Sequence, residues 1–342
     1  MLILFLIAVM TLSAFILQQW LYAPLTLFED KVIIVERGDT LGKVAYLLER
    51  EGALHSAKLF IVYARLMNQT NIAIGEYLLK KNSNHKQLLS LLQSGDVINY
   101  SVTLIEGKTF KNFLTTLQTN SRVTTVLGNK NQQEILAELA INIKHPEGWF
   151  FPDTYQFSAG TTDKDILLQA YRKMNKVLNQ EWEKKAENLP YNSAYEALIM
   201  ASIIEKETGV DGERAEIAGV FVRRLQKGMR LQTDPTIIYG LGDQYKGNIQ
   251  RKHLTQKTPY NTYLIDGLPP TPIAMPGREA IQAALNPASG KALYFVAKGD
   301  GSHYFSETLF EHNKAVRKYQ IERRRKKYQS SPKKVPMNSH SL

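Results

Sequence analysis

Apolar side chains fill nearly all of the first 17 positions, and no charged residue occurs among the first 28. Because an α-helix rises 1.5 Å per residue, about 20 apolar residues span the hydrocarbon core of a bilayer. Trp20 and Tyr22 would then lie at the level of the lipid head groups. A basic first region and a small-x-small cleavage motif, which mark a secretory signal, are both weak here. Residues 1–22 are therefore predicted to be an uncleaved membrane anchor.

Beyond this segment the apolar spacing changes between that of strands and that of helices. Residues 32–35 and 75–80 are predicted to be short strands, and residues 40–52 and 56–67 carry apolar side chains at helical spacing. The order is strand, helix, helix, strand. With Glu36-Arg37-Gly38-Asp39-Thr40-Leu41 at the first turn, this unit resembles a LysM module, a small fold that binds N-acetylated glycans. The alternative is a generic α+β spacer domain.

The pattern then predicts a further helix over residues 85–92, a strand pair within residues 97–105 and a helix from about Thr109. Residues 119–134 are polar without an apolar period, so they are predicted to separate two domains. The predicted fold class is α+β, with an N-terminal transmembrane helix, a small LysM-like α+β module and a larger mixed α+β domain. The predicted domains are the anchor (1–22), the LysM-like and adjoining α+β region (30–118), the larger domain (135–321) and a basic, disordered tail (322–342).

The charge of the chain is concentrated at its end. The formal net charge is +11, and residues 322–342 contain seven Lys or Arg against one acid, Glu322, so the tail supplies six of these eleven charges. A basic tail is attracted to any polyanion, including lipid head groups and wall polymers. The mildly basic body and the membrane segment argue against a nucleic-acid binder, and no nucleic acid is expected as a partner.

Neither cysteine nor histidine indicates a metal centre. The chain has no cysteine, which excludes disulfides and thiolate metal sites, and its seven histidines show no H-E-x-x-H or comparable spacing. No metal and no cofactor are predicted, and His303 is expected to have a structural role.

Residues 194–208 are predicted to form a helix that carries two glutamates. At 100° per residue, Ala197, Ala201 and Ile204 lie on one buried stripe. Glu205 and Glu207 lie at its opposite edges. Burial disfavours a charged carboxylate and raises its pKa, which is what a general acid near neutral pH needs. The spacing alone does not choose between the two glutamates.

The stretch that follows is rich in hydroxyl, amide and tyrosine side chains, in segments that Pro and Gly predict to be rigid loops rather than helices. Such side chains hydrogen-bond to sugar hydroxyls, and aromatic faces contact the C–H faces of sugar rings. The candidate substrate-binding residues are Gln232, Asp234, Tyr239, Asn261 and Tyr263.

Seven motifs occur along the chain in a fixed order, at residues 147–155, 201–208, 228–236, 238–240, 260–263, 267–270 and 294–296. Together with the N-terminal helix and the LysM-like unit, they resemble the YceG-like family of endolytic murein transglycosylases. The resemblance implies a bacterial lyase in the cytoplasmic membrane, with its catalytic domain on the extracytoplasmic side. Its substrate would be nascent peptidoglycan glycan strands, cut internally, and its partners would include peptidoglycan synthases (penicillin-binding proteins). The family's catalytic glutamate maps onto Glu205.

A lytic transglycosylase needs only one carboxyl group, which first protonates the leaving glycosidic oxygen and then accepts the proton of the muramic acid C6 hydroxyl. Hydrolysis usually needs a second carboxylate. Asp234 and Glu207 are the nearest acids in sequence, so a muramidase-type hydrolase stays an alternative, as does a non-catalytic wall-binding scaffold. Lys206 follows the acid where other transglycosylases often have Ser, so other groups must stabilise the oxocarbenium-like state. We hypothesise that the N-acetyl group of the substrate stabilises this state, together with Gln232, Tyr239 or Asn261.

Overall fold

The computed structural model describes residues 2–207, 209 and 211–322, so the predicted basic tail beyond Glu322 lies outside the described residues. The chain divides into two compact units. The first comprises the chain up to Val102 with Asn120–Thr125 and Gln156–Thr162, and the second comprises Thr103–Thr119, Val126–Tyr155 and the chain from Asp163 onward. Each unit has its own apolar core.

The N-terminal segment forms one apolar helix, α1 (Leu2–Tyr22). Its stretch Ile3–Tyr22 has a mean hydropathy of 1.9 and is long and apolar enough to cross a membrane. Large apolar side chains such as Ile3, Phe5 and Met10 are exposed along it. This is the surface expected of a helix whose solvent is lipid.

The rest of the first unit begins with the predicted order of strand, helix, helix and strand. Its elements are β1 (Lys31–Val35), α2 (Leu41–Arg50), α3 (Ala57–Leu66), β2 (Gly75–Leu79) and α4 (His85–Ser94). Strands β1 and β2 pair antiparallel, with Lys31 opposite Leu79. Thr40 is the N-cap of α2 and accepts a hydrogen bond from Lys43 N. The helices pack their apolar faces into the core of this unit.

The predicted strand pair within residues 97–105 is wrong. A single strand, β3 (Asn99–Thr103), lies there and pairs with β4 (Thr154–Ser158). Two of the boundaries between the units fall within these strands, after Val102 and after Tyr155. Strand β3 therefore finds its partner about fifty residues later in the chain, and no turn signal near residue 100 could have shown this.

The second unit is mainly helical. Its helices are α5 (Phe110–Gln118), α6 (Gln132–Leu139), α7 (Asp163–Trp182), α8 (Ala194–Glu207), α9 (Arg214–Gln226), α10 (Asp234–Leu241), α11 (Arg251–Thr255), α12 (Arg278–Leu285) and α13 (Leu309–Val316). A hairpin of β5 (Tyr294–Ala297) and β6 (His303–Ser306) completes it.

Helix α8 lies at the centre of this unit. Every residue from Ala197 to Glu205 is buried, because α7, α9, α10 and α12 all pack against the helix. The predicted single buried stripe is therefore wrong. A helix covered on every side has no solvent-facing surface over these turns, so its apolar residues surround it.

Helix α10 replaces part of a predicted loop. The sequence Asp234-Pro235 was expected to lie in a turn, but Asp234 begins the helix and Pro235 occupies its first turn. Proline lacks an N–H, and the first turn of a helix has no partner for that N–H, so proline is favoured there. Gly240 lies inside this helix, where an added side-chain carbon would come 3.0 Å from Tyr260 Cβ.

Candidate active site

Glu205 lies in the last turn of α8 and is only 5% exposed. Its Oε2 accepts a hydrogen bond of 3.2 Å from the backbone N–H of Gly277. Gly277 is the N-cap of α12, so the carboxylate lies at a helix end where backbone N–H groups lack partners within the helix. The positive end of the helix dipole stabilises a negative charge at this position.

A loop from another part of the chain closes around the same carboxylate. Gly107 N donates to Met275 O at 2.8 Å, and Met275 N donates to Lys108 O at 2.8 Å, which fixes this loop beside the segment that ends in Gly277. A side-chain carbon at Gly107 would lie 3.6 Å from Glu205 Oε1. Gly107 has a φ of +70°, a conformation that favours glycine. Glu205 is therefore enclosed by two glycine-containing loops.

Glu207 faces a different environment. It lines a cavity of about 740 Å³ together with Gln232, Asp234 and Tyr263. Its Oε1 accepts a hydrogen bond from the Thr233 hydroxyl. Burial raises the pKa of Glu207 to about 7, although the Thr233 bond opposes this shift. The side chains of Glu205 and Glu207, two positions apart, therefore lie on different sides of α8.

Two of the predicted polar motifs meet in the wall of this cavity. Gln232 N donates to Thr262 O at 3.1 Å, and Thr233 N donates to Thr262 Oγ1 at 3.0 Å. The Tyr263 hydroxyl donates to Asp234 Oδ1 at 2.8 Å. Gln232 has a φ of +51°, a strained conformation for a residue with a side chain, and such strain persists only where surrounding bonds hold it.

Tyr239 lies away from these residues, against a buried carboxyl group. Its hydroxyl donates to Glu147 Oε2 at 3.1 Å, while Glu147 Oε1 accepts from Phe110 N at 2.9 Å. Glu147 is 3% exposed, and burial raises its pKa to about 7. Tyr239 thus connects α10 to the start of α5.

Asn261 braces the loop that carries it. Its Nδ2 donates to the carbonyl oxygens of His253, Leu254 and Gln256, and its Oδ1 accepts from Tyr263 N. The residue is 1% exposed. Its amide therefore holds α11 and the following loop in place.

The sequence matches a known family over most of its length. A model of the YceG-like family matches residues 33–318. The chain belongs to the YceG-like family.

Relatives of this YceG-like protein agree in name. An endolytic murein transglycosylase of Bacillus subtilis is 32% identical over 306 residues, which cover 84% of each protein. An endolytic murein transglycosylase of Streptococcus pneumoniae is 28% identical over 317 residues, which cover 82% of this chain and 57% of the relative. The crystal structure of a YceG-like protein from Listeria monocytogenes matches with a TM-score of 0.50 at 30% identity, covering 84% of this chain and 98% of that one.

The five predicted substrate-binding residues of the YceG-like protein fall into three places. Gln232, Asp234 and Tyr263 line the cavity with Glu207, Tyr239 contacts Glu147, and Asn261 braces its own loop. None of these hydrogen bonds is to the carboxylate of Glu205, which lies beside Gly107 and Gly277.

Local spacing did not indicate the residues that surround Glu205. Glu106 and Gly107 lie about a hundred positions upstream of it, and Gly277 about seventy downstream. The available signal was a pair of glycines flanked by a charged residue, Glu106-Gly107-Lys108 and Pro276-Gly277-Arg278, in segments that lack an apolar period. Such segments are where functional loops are found.

Proposed function

We propose that this YceG-like protein is an endolytic peptidoglycan lytic transglycosylase in which Glu205 is both acid and base. The observation that carries the proposal is the buried carboxyl group of Glu205 on a central helix, enclosed by two glycine-containing loops and hydrogen-bonded to the Gly277 N–H. The names of the relatives from Bacillus subtilis and Streptococcus pneumoniae support the same reaction.

The reaction uses one carboxyl group twice. Glu205 gives its proton to the oxygen that links MurNAc C1 to the next GlcNAc, and the C1–O bond breaks. The C6 hydroxyl of the same MurNAc then attacks C1, and its proton passes to the Glu205 carboxylate. A 1,6-anhydro end forms, the acid is restored and no water is consumed. The Gly277 N–H and the N-terminus of α12 stabilise the carboxylate in the interval between the two proton transfers.

The cavity beside Glu207 is proposed to hold sugars of the strand on one side of the bond that is cut. A volume of about 740 Å³ lies within the range of pockets that bind small ligands. Gln232, Asp234 and Tyr263 offer hydrogen bonds to sugar hydroxyls there. Lys206 contacts both the cavity and the loop beside Glu205, because it lines the cavity and its Nζ donates to Gly107 O at 3.2 Å.

The substrate-binding role of Tyr239 and Asn261 stays a prediction. Their present hydrogen bonds, to Glu147 and to three loop carbonyl oxygens, favour a role in holding α10 and the loop before Tyr263. A sugar would have to replace those bonds in order to contact either side chain.

The first unit is proposed to anchor the enzyme and to bind glycan. Helix α1 would cross the cytoplasmic membrane once, with the rest of the chain on the extracytoplasmic side where peptidoglycan lies. The β1-α2-α3-β2 order supports a LysM-like glycan-binding role. The two helices lie between the two strands in the sequence, and the strands pair antiparallel. Peptidoglycan synthases are proposed as partners, since they produce the nascent strands on which this enzyme would act.

Digestion of purified peptidoglycan by the full-length protein in detergent tests this function. Mass analysis is expected to show fragments that end in 1,6-anhydro-MurNAc, produced by cuts inside the strands. Reducing MurNAc ends would instead identify a muramidase-type hydrolase. Sedimentation with peptidoglycan without any product would identify a non-catalytic scaffold.

A further inference from the structure

A second carboxyl side chain, that of Glu106, comes close to Glu205. Glu106 begins the loop that the Gly107–Met275 and Lys108–Met275 backbone bonds fix beside Gly277. A side-chain carbon at Gly277 would lie 2.5 Å from Glu106 Oε2 and 3.6 Å from Glu205 Oε2. Because both distances start from one point, the two oxygens are at most about 6 Å apart, so one bound sugar can contact both carboxyl groups.

We infer that Glu106 is a second catalytic carboxylate of this site, which contacts the reacting sugar and stabilises the positive charge that develops at C1. This inference rests on the proposed function. It assigns a group to the charge that forms once the C1–O bond breaks, for which the chain has no Ser directly after Glu205.

The geometry favours Glu106 over the residues first considered for this role. The amide of Asn261 is engaged by three backbone carbonyl oxygens and the hydroxyl of Tyr239 by Glu147. Gln232 lines the cavity on the Glu207 side of the helix. Glu106 is partly exposed, whereas Glu205 is buried, so a sugar can approach the first while its glycosidic oxygen receives the proton of the second.

The two carboxyl groups have separate roles, and the reaction balances in atoms and charge. Glu205 gives and then regains one proton, as above. Glu106 gives and takes none, and its negative charge opposes the positive charge on C1 and the ring oxygen until the C6 oxygen closes on C1. A fixed charge aimed at the site where charge develops stabilises a transition state more than a ground state. Glu106 should therefore affect turnover more than binding.

The first test compares Glu106→Gln with the wild type, both full-length in detergent, on purified peptidoglycan. We expect kcat to fall about 10²- to 10³-fold with KM within about threefold, and the residual products to keep their anhydro ends. Glu106→Asp, which keeps the charge, is expected to have a kcat about tenfold higher than that of Glu106→Gln. Glu183→Gln is the matched control, because Glu183 is an exposed carboxylate of the same unit.

A double-mutant cycle separates catalysis from folding. Gly277→Ala places a methyl group against Glu106 Oε2 but only at ordinary contact distance from Glu205 Oε2, and it keeps the N–H that Glu205 accepts. The backbone of Gly277, with φ −75° and ψ 171°, tolerates alanine. We expect Gly277→Ala to lower kcat at least tenfold in the wild type and at most about twofold in a Glu106→Ala background.

Three results would overturn the inference about Glu106 and leave the transglycosylase function intact. These are a kcat of Glu106→Gln within about threefold of the wild type, a loss confined to KM, or an equal effect of Gly277→Ala in both backgrounds. Absence of anhydro ends from the wild-type digest would overturn the proposed function and, with it, this inference.

Discussion

Buried or partly buried glutamates of the second unit include Glu147, Glu181, Glu205 and Glu207, and each has a different partner, which for Glu181 is Arg278. Glu205 accepts from the Gly277 N–H, Glu147 from Phe110 N and the Tyr239 hydroxyl, and Glu207 from the Thr233 hydroxyl. Burial raises the pKa of Glu147 and of Glu207 to about 7. A buried carboxyl group is therefore not by itself a catalytic acid in this fold, and position relative to the loops around Glu205 distinguishes it.

Glu147→Gln is predicted to change how stability depends on pH. The pKa of Glu147 is about 7 in the folded chain and 4.5 ordinarily, so the folded state holds a proton that the unfolded state releases between these values. Its contribution is full below pH 4.5 and is lost as pH rises through 7. The loss for this one group is on the order of 3 kcal/mol. Glutamine mimics the protonated form and is expected to remove this component.

Urea unfolding at pH 5 and pH 8, followed by tryptophan fluorescence, measures the effect, since Trp149 and Trp182 both lie in this unit. The variant should lose less stability than the wild type between the two pH values. Parallel losses in the two proteins would show that Glu147 does not hold its proton in the folded state.

The two-glutamate choice on α8 illustrates what spacing can and cannot determine. Helical spacing predicted a single apolar stripe with Glu205 at its edge, whereas α8 is buried on every side from Ala197 to Glu205. The family resemblance selected Glu205 over Glu207 as the catalytic residue, a role that stays a prediction. The neighbours Glu106 and Gly277 could not be predicted, because contacts between segments about 70 to 170 positions apart leave no periodic pattern in the sequence.

Among the secondary-structure elements, those defined by local signals were predicted well. Thr40, Ser56 and Thr109 are N-caps at the predicted helix starts, and Gly95 ends α4 in a left-handed conformation. The β3–β4 pairing was missed because its partner strand is distant in sequence. Helix α10 was missed because Asp-Pro is typical both of a turn and of a helix start.

Gly148→Ala is predicted to destabilise the second unit. Gly148 has a φ of +85°, and a side-chain carbon there would lie 2.5 Å from Pro272 Cγ, an atom of a rigid ring. We expect the free energy of unfolding to fall by about 2–4 kcal/mol, from backbone strain and overpacking together.

Gly228→Ala is the matched control for this change. Gly228 also has a positive φ, of +64°, but nothing lies within 4 Å of the added carbon. It should lose only the strain component, about 1 kcal/mol. Equal losses in the two variants, measured by urea unfolding, would mean that the contact with Pro272 contributes nothing.

The molecule as a whole contains an apolar N-terminal helix, an antiparallel strand pair in the first unit and a larger, mainly helical second unit. The α+β class and the apolar N-terminal helix are confirmed by the structure. The predicted domain limits of 30–118 and 135–321 stay predictions. The two units each contain segments from separate parts of the chain, because the chain passes between them after residues 102, 119, 125, 155 and 162.

Deletion of residues 1–22 is predicted to release the protein from membranes. The full-length chain should stay in the membrane fraction after a wash with about 1 M salt, which screens attraction between the net charge of +11 and anionic lipids. The truncated chain should be recovered in the soluble fraction after the same wash. Recovery of the full-length chain in the soluble fraction would mean that α1 is not an anchor.

The central claim is that the Glu205 carboxyl group carries out the chemistry. Glu205→Gln keeps an oxygen that can accept the Gly277 N–H but removes the proton donor, and Glu183→Gln is the matched control. Full-length wild type and both variants are incubated with purified peptidoglycan, and 1,6-anhydro-MurNAc ends are counted by mass spectrometry over time. We predict a rate about 10²- to 10⁴-fold lower for Glu205→Gln and unchanged for Glu183→Gln. Anhydro ends formed by Glu205→Gln at the wild-type rate would contradict the claim.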